Sequence, residues 1–66
     1  MSKINIYEKV KHYRKEHKLT QGEFAKLIGV SAQAISKWER VECYPDIQFL
    51  PILAEILGCS VADFFN

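Results

Sequence analysis

One segment of the chain places polar side chains where they can share a single face of a helix. At about 100° per residue, that face carries Gln33, Ser36, Lys37 and Arg40. Ile35 and Trp38 fall on the opposite side, toward the body of a protein. An amide, a hydroxyl and two cations are groups that contact base edges and phosphates in a DNA major groove. On an arbitrary helix the same face would only be solvated, so the surrounding elements decide between the two interpretations.

The signals around this segment predict two closely joined helices. Thr20 followed by Glu23 has the spacing of a capping box, in which each residue satisfies a free backbone N–H of the other. Gly29 suits the left-handed conformation that ends a helix, and Ser31 suits the cap of the next one. A connection of three residues forces the helices to cross steeply, which is the helix-turn-helix geometry. The two helices are predicted at residues 21–28 and 32–40.

Apolar residues recur at helical spacing along the chain, and strand alternation is absent. The sequence therefore predicts an all-α fold, a compact five-helix bundle in one domain over residues 1–66, with the helix-turn-helix at about residues 20–40. Pro51 lies inside the fourth helix, so the first turn of that helix is expected to be irregular. The five helices are predicted at residues 4–17, 21–28, 32–40, 47–57 and 61–65.

The distribution of charge is more informative than its total of +1. Residues 1–40 contain all nine Lys and Arg against four Asp and Glu, and residues 41–66 contain four acids and no Lys or Arg. One end of the molecule is therefore expected to be electropositive, as a DNA-binding surface requires. No apolar run approaches a membrane span and no signal peptide is recognisable, so a cytoplasmic location is expected.

The sequence contains residue types that can perform catalysis or bind metals, but they are not spaced as catalytic or metal-binding motifs require. Paired carboxylates, a nucleophile elbow and a phosphate-binding glycine loop are absent, so an enzyme is not expected. Cys43 and Cys59 form no CxxC pair and are expected to be reduced thiols. A zinc site built from them with His12 and His17 fits no known ligand spacing. Neither a metal nor a cofactor is predicted.

The segment LTQGEFAKLIGVSAQAISKWE resembles the core of the Cro and phage-repressor family of bacterial and phage regulators, also called the Xre family. The later segment FLPILAEILGCSV is similar to the fourth and fifth helices of that family. The resemblance implies a transcriptional regulator, a repressor in the first instance, that binds operator DNA, usually as a homodimer on an inverted repeat. The alternative is an antitoxin-like or other protein-interaction module that also binds DNA.

The resemblance also implies roles for individual residues. Gln33 and Lys37 match base-reading positions, with Ser36 beside them. Ala32 stands where many relatives carry a long polar side chain, so one base contact is expected to be missing there or to be replaced by an apolar contact with a thymine methyl. Arg14 and Glu39 match a pair that bridges helix one to helix three, and Gln21 matches a glutamine that braces helix three. The phosphate contacts are expected from Gln21, Ser31, Arg40 and Arg14.

Two further features depart from a simple five-helix pattern. Lys18 and Val41 stand where the family usually has glycine to end helices one and three, and a β-branched residue is a poor left-handed cap. In helix four, the apolar arc is wider than one core needs. An exposed patch that serves as a dimer interface is therefore expected from Ile52, Ile56 and Phe65.

Overall fold

A computed structural model describes residues 5–65, and within that range every regular element is helical. The all-α class is confirmed. The α-helices are α1 (Ile6–Glu16), α2 (Gln21–Ile28), α3 (Ala32–Glu39) and α4 (Leu50–Leu57). Two 3₁₀ helices span Ile47–Phe49 and Val61–Phe65. The predicted start of the first helix at residue 4 lies outside the described residues.

The fourth helix was predicted at 47–57 with an irregular first turn because of Pro51, and that irregularity is present: a 3₁₀ turn spans Ile47–Phe49, and α4 begins at Leu50. The carboxylate of Asp46 accepts from the Ile47 N–H at 3.0 Å and begins the 3₁₀ turn. Phe49 then donates to the Asp46 carbonyl at 2.9 Å. Because Pro51 has no N–H for an α-helical bond to Ile47, the tighter turn precedes α4, and the proline lies in the first turn of that helix.

The fifth helix has the predicted position, but it is a 3₁₀ helix rather than an α-helix. Five residues are too few to benefit from α-helical cooperativity, and a 3₁₀ turn satisfies the backbone over a shorter length. Asp63 accepts from the Ser60 N–H at 3.0 Å, which closes the start of this element. The Phe64 side chain is fully buried. The backbone carbonyl of Phe64 accepts a hydrogen bond from the Asn5 N–H at 2.9 Å.

One apolar core joins all four α-helices to the last 3₁₀ helix. Trp38 is among the buried residues, as its wheel position beside Ile35 predicted. Leu57, on the apolar side of α4, is partly buried at the edge of the core. The buried apolar side chains are Ile6, Val10, Phe24, Ala25, Ile28, Ile35, Trp38, Leu50, Leu53, Ala54 and Phe64.

The helix ends at Lys18 and Val41 adopt the left-handed conformation despite the absence of glycine. Val41 has φ +59°; its N–H donates to the Trp38 carbonyl, and that of Glu42 donates to the Lys37 carbonyl at 2.9 Å. This is the Schellman arrangement, which satisfies the last carbonyls of a helix. The same pattern follows α1, where Lys18 has φ +54°. Both residues thus keep a glycine geometry at the cost of backbone strain.

Substitution of Val41 by glycine is expected to raise the free energy of unfolding by about 1 kcal/mol, because glycine takes a positive φ without the clash of a β-branched side chain. Chemical denaturation of the two proteins measures the difference. Cys43→Gly, at an exposed residue outside the left-handed region, should give no gain. A loss of stability in Val41→Gly would contradict the strain.

Candidate nucleic-acid interface

The interface begins with the two helices α2 and α3 and the turn of residues 29–31 between them. Both bonds of the predicted capping box are present: the Thr20 hydroxyl accepts from the Glu23 N–H at 3.0 Å, and the Glu23 carboxylate accepts from the Thr20 N–H at 2.8 Å. Gly29 ends α2 with φ +92°. The hydroxyl of Ser31 caps α3 by accepting from the Ala34 N–H at 3.1 Å. These local bonds determine where α3 starts relative to α2.

The outward face of α3 presents most of the predicted base-reading side chains to solvent. Ala32, Gln33 and Lys37 are exposed, and Ser36 is half-buried. The opposite face is held in the core through Ile35 and Trp38. The predicted helix 32–40 is one residue too long, since Arg40 is the C-cap and lies exposed just beyond the last turn. The prediction that these residues contact bases stays a prediction, because the geometry gives exposure and not contact.

The residues predicted to contact phosphates lie at the helix ends. Gln21 opens α2 and is half-buried, whereas Ser31 precedes α3 and is exposed. Backbone N–H groups at such helix starts favour anions. Arg14 is half-buried, and its guanidinium donates hydrogen bonds to groups inside the protein.

An ion pair between a half-buried arginine and a buried glutamate joins α1 to the end of α3. The Arg14 Nε and Nη2 atoms donate to the two carboxylate oxygens of Glu39 at 2.7 and 2.9 Å, and Nη1 donates to the Leu19 carbonyl at 3.0 Å. Gln21 adds a bond from Nε2 to Glu39 Oε1 at 3.2 Å. The Glu39 side chain is 5% exposed and that of Arg14 is 18% exposed. The network connects α1, α2 and α3 at one carboxylate.

The protonation state of Glu39 follows from this network. Burial alone would raise the pKa of Glu39, but the hydrogen bonds from Arg14 and Gln21 outweigh it and hold the pKa below its ordinary value. The bonds to Glu39 also raise the pKa of Arg14. Both groups are therefore charged at neutral pH, and the orientation of α3 depends on a fully ionised pair.

The sequence reasoning missed the partner of Arg40. Arg40 Nε lies 2.9 Å from Glu42 Oε2, in an ion pair whose side chains are 57% and 53% exposed. Residues two apart do not face each other on a helix. The left-handed Val41 turns the chain so that they meet, and the replacement of the expected glycine by Val41 was the signal available in the sequence. The bond from Arg14 to the Leu19 carbonyl had no comparable signal.

The other predicted surface lies on α4 and the last 3₁₀ helix. Ile52 and Phe65 are 37% and 39% exposed. Ile56 is partly buried and packs against the core, so it contributes less to the patch than predicted. One of the three predicted patch residues is therefore partly covered, and the other two leave apolar side chains in solvent.

Among residues 5–65, no three or more His, Cys, Asp or Glu side chains are grouped so as to hold a metal ion. Cys43 is exposed and Cys59 is half-buried, and both are free thiols. In this part of the chain no helix has the length and apolar character needed to cross a bilayer.

Two short helices, a three-residue turn and an outward polar face define the helix-turn-helix class of domains. The helix-turn-helix family model matches residues 10–64. The chain belongs to this family, and within it to the Cro and phage-repressor type.

Three relatives illustrate the similarity. Repressor protein C2 of Salmonella phage P22 is 42% identical over 53 residues, which are 80% of this chain and 24% of that protein. An uncharacterised helix-turn-helix-type transcriptional regulator of Methanocaldococcus jannaschii is 37% identical over 57 residues, 86% of each chain. The crystal structure of the P22 c2 repressor in complex with a synthetic operator is 37% identical, with a TM-score of 0.78 over 89% of each chain. This chain thus spans about a quarter of the full C2 repressor.

Proposed function

We propose that the chain is a transcriptional regulator, acting as a repressor, that binds duplex DNA by laying α3 in the major groove. The observation that carries the proposal is the division of α3 into two faces. Gln33 and Lys37 are exposed, while Ile35 and Trp38 anchor the helix in the core. Such an arrangement presents polar groups to base edges at a fixed orientation. We propose a cytoplasmic location as well, which is consistent with a regulator that binds DNA.

The ion pair beneath α3 supports the same proposal. A helix that reads bases must keep its angle to the rest of the domain, and Glu39 ties the end of α3 to Arg14 and Gln21. The solved complex of the related P22 c2 repressor with a synthetic operator adds support for duplex DNA as the ligand. We assign base contacts to Gln33, Lys37, Ser36 and Ala32, and phosphate contacts to Gln21, Ser31 and Arg40. Arg14 serves the bridge, so its phosphate contact is secondary.

We propose further that the protein acts as a homodimer on an inverted repeat whose half-sites are about 34 Å apart, one turn of DNA. The exposed apolar side chains of Ile52 and Phe65 support an interface on that surface. The mass in solution at high micromolar concentration tests it. Ile52→Glu should convert a dimer into a folded monomer, whereas Ile56→Glu would also disturb the core. A monomeric wild-type protein would exclude this interface.

Two substitutions on α3 should separate base reading from phosphate binding. Gln33→Ala is expected to relax the preference at one base pair per half-site, because a bidentate amide contact contributes about 1–3 kcal/mol of discrimination. Arg40→Ala should instead weaken binding to all sequences alike and reduce the salt slope by roughly one unit.

The experiment first selects bound sites from random duplex DNA. The two variants are then titrated against the selected site and its single-base variants at several salt concentrations. Lys26→Ala, on an exposed position of α2 outside the proposed contact set, is a matched control with the same loss of charge as Arg40→Ala. If Gln33→Ala kept the full base preference of the wild type, α3 would not contact the bases as proposed.

A further inference from the structure

The ion pair between Arg40 and Glu42 lies at the edge of the proposed DNA-binding face. It exists because of the turn after α3: the Glu42 N–H donates back to the Lys37 carbonyl at 2.9 Å, across the left-handed Val41. The chain therefore folds back on the last turn of the helix, and the Glu42 carboxylate lies 2.9 Å from Arg40 Nε. The backbone of this turn thus brings the two side chains within reach of each other, which a straight helix would not do for residues two apart.

The pair places a negative charge where an approaching DNA backbone needs a positive one. Lys37, one turn earlier on α3, is exposed without a carboxylate of its own among the ion pairs of residues 5–65. Arg40 differs, because Glu42 neutralises it in the free protein. Both side chains are more than half exposed, so the pair adds little to folding stability. Its main effect is to lower the positive potential of this edge.

The contact between Arg40 and Glu42 is less directed than the one between Arg14 and Glu39. In the described chain, no aligned hydrogen bond joins Arg40 to Glu42, in contrast to the two that join Arg14 to Glu39. A carboxylate that positioned the guanidinium for phosphate would be expected to hold it by directed bonds. The close but poorly directed contact neutralises charge without locking the side chain, and phosphate must displace it or share the cation.

We propose that Glu42 is an attenuator of DNA affinity, which competes with phosphate for Arg40. The inference rests on the proposed function. Because the Arg40 contact to phosphate carries no sequence information, weakening it lowers the affinity for every duplex by the same factor. Base contacts from α3 then contribute a larger share of the total binding. Glu42 thereby limits occupation of unrelated DNA without altering the sequence preference.

The test is titration of wild type and Glu42→Gln against the selected site and an unrelated duplex at several salt concentrations. Removal of the carboxylate is expected to tighten binding to both by about two- to fivefold at low salt, the range of an exposed charge pair. The dependence of the affinity on salt concentration should become steeper. The ratio of the dissociation constants for the two duplexes should stay the same. The matched control is Glu55→Gln, which makes the same charge change at an exposed position on α4.

A double-mutant cycle shows whether Glu42 acts through Arg40. In the Arg40→Ala background, Glu42→Gln should change affinity no more than Glu55→Gln does. Weaker binding by Glu42→Gln would mean that the carboxylate supports Arg40, and an effect equal to that of Glu55→Gln would mean that net charge alone matters. Either result overturns the attenuator while leaving the proposed function intact. Failure of the wild-type chain to bind any duplex would overturn both.

Discussion

Replacement of Glu39 by alanine is expected to lower the free energy of unfolding by about 3 kcal/mol. Removing one member of a buried ion pair leaves the other as an uncompensated charge, at a cost of about 3–5 kcal/mol. The lower end applies because Arg14 retains 18% exposure and can be partly rehydrated. At roughly 0.05–0.15 kcal/mol per residue, the stability of a chain of 66 residues is about 3–10 kcal/mol. If the wild-type stability lies at the lower end of this range, a large part of the Glu39→Ala molecules should therefore be unfolded.

Urea denaturation of wild type, Glu39→Ala and the control Glu55→Ala measures this effect. Glu55 is an exposed acid on α4, so its loss should change stability by less than about 0.5 kcal/mol. The pKa of Glu39 is lowered in the folded protein, so the pair contributes fully above the ordinary value of 4.5 and less as the pH falls through the folded pKa. The difference between wild type and Glu39→Ala should accordingly narrow in acid. Equal stabilities of the two alanine variants at pH 7 would contradict the structural role of the pair.

Truncation of Phe64 to alanine should lower the free energy of unfolding by at least as much, about 3–5 kcal/mol. The side chain is fully buried although it belongs to a 3₁₀ helix only five residues long. Its loss opens a cavity between that element and the core and removes the contact that holds the last element in place. Thermal or denaturant melts measure the change.

The neighbouring residue supplies a matched control, since Phe65 has the same side chain in the same element but is 39% exposed. Phe65→Ala should cost less than about 1 kcal/mol when the melts are run at low protein concentration, where a dimer would contribute little. If the two variants lost similar amounts of stability, the last element would not be packed as described.

The helix-turn-helix was predictable because its signals are local. The capping box at Thr20, the left-handed Gly29 and the cap Ser31 each depend on residues within a few positions, and all three are present. The bounds of α2 were predicted to the residue. The 3₁₀ character of residues 47–49 and 61–65 was harder to predict, because α and 3₁₀ turns share apolar spacing and differ only in their hydrogen bonds. Pro51 was the one local indication.

The candidate site divides in the same way. The exposure of Gln33 and Lys37 follows from helical periodicity, which can be recognised in the sequence of one segment without knowledge of the rest of the chain. The bridge from Arg14 to Glu39 joins residues 25 positions apart, and only the family resemblance implied it. The pairing of Arg40 with Glu42 depends on the positive φ of Val41. The glycine expected at that position was a signal for such a turn, but valine itself does not favour the left-handed conformation. Contacts that depend on a backbone turn at an unsuitable residue are the least accessible to sequence reasoning.

The backbone hydrogen bond from Asn5 to the Phe64 carbonyl has a consequence for protein engineering. At 2.9 Å it brings the entry and exit of the described chain side by side. A domain with adjacent ends can be inserted into a surface loop of a host protein without stretching that loop. It can equally be circularly permuted, with a short linker that joins the region of residue 65 to that of residue 5 and new ends between the exposed residues 43 and 44, which keeps the turn after α3 intact. Such grafts would display α3 on a scaffold of choice while the Arg14–Glu39 bridge stays within the inserted unit.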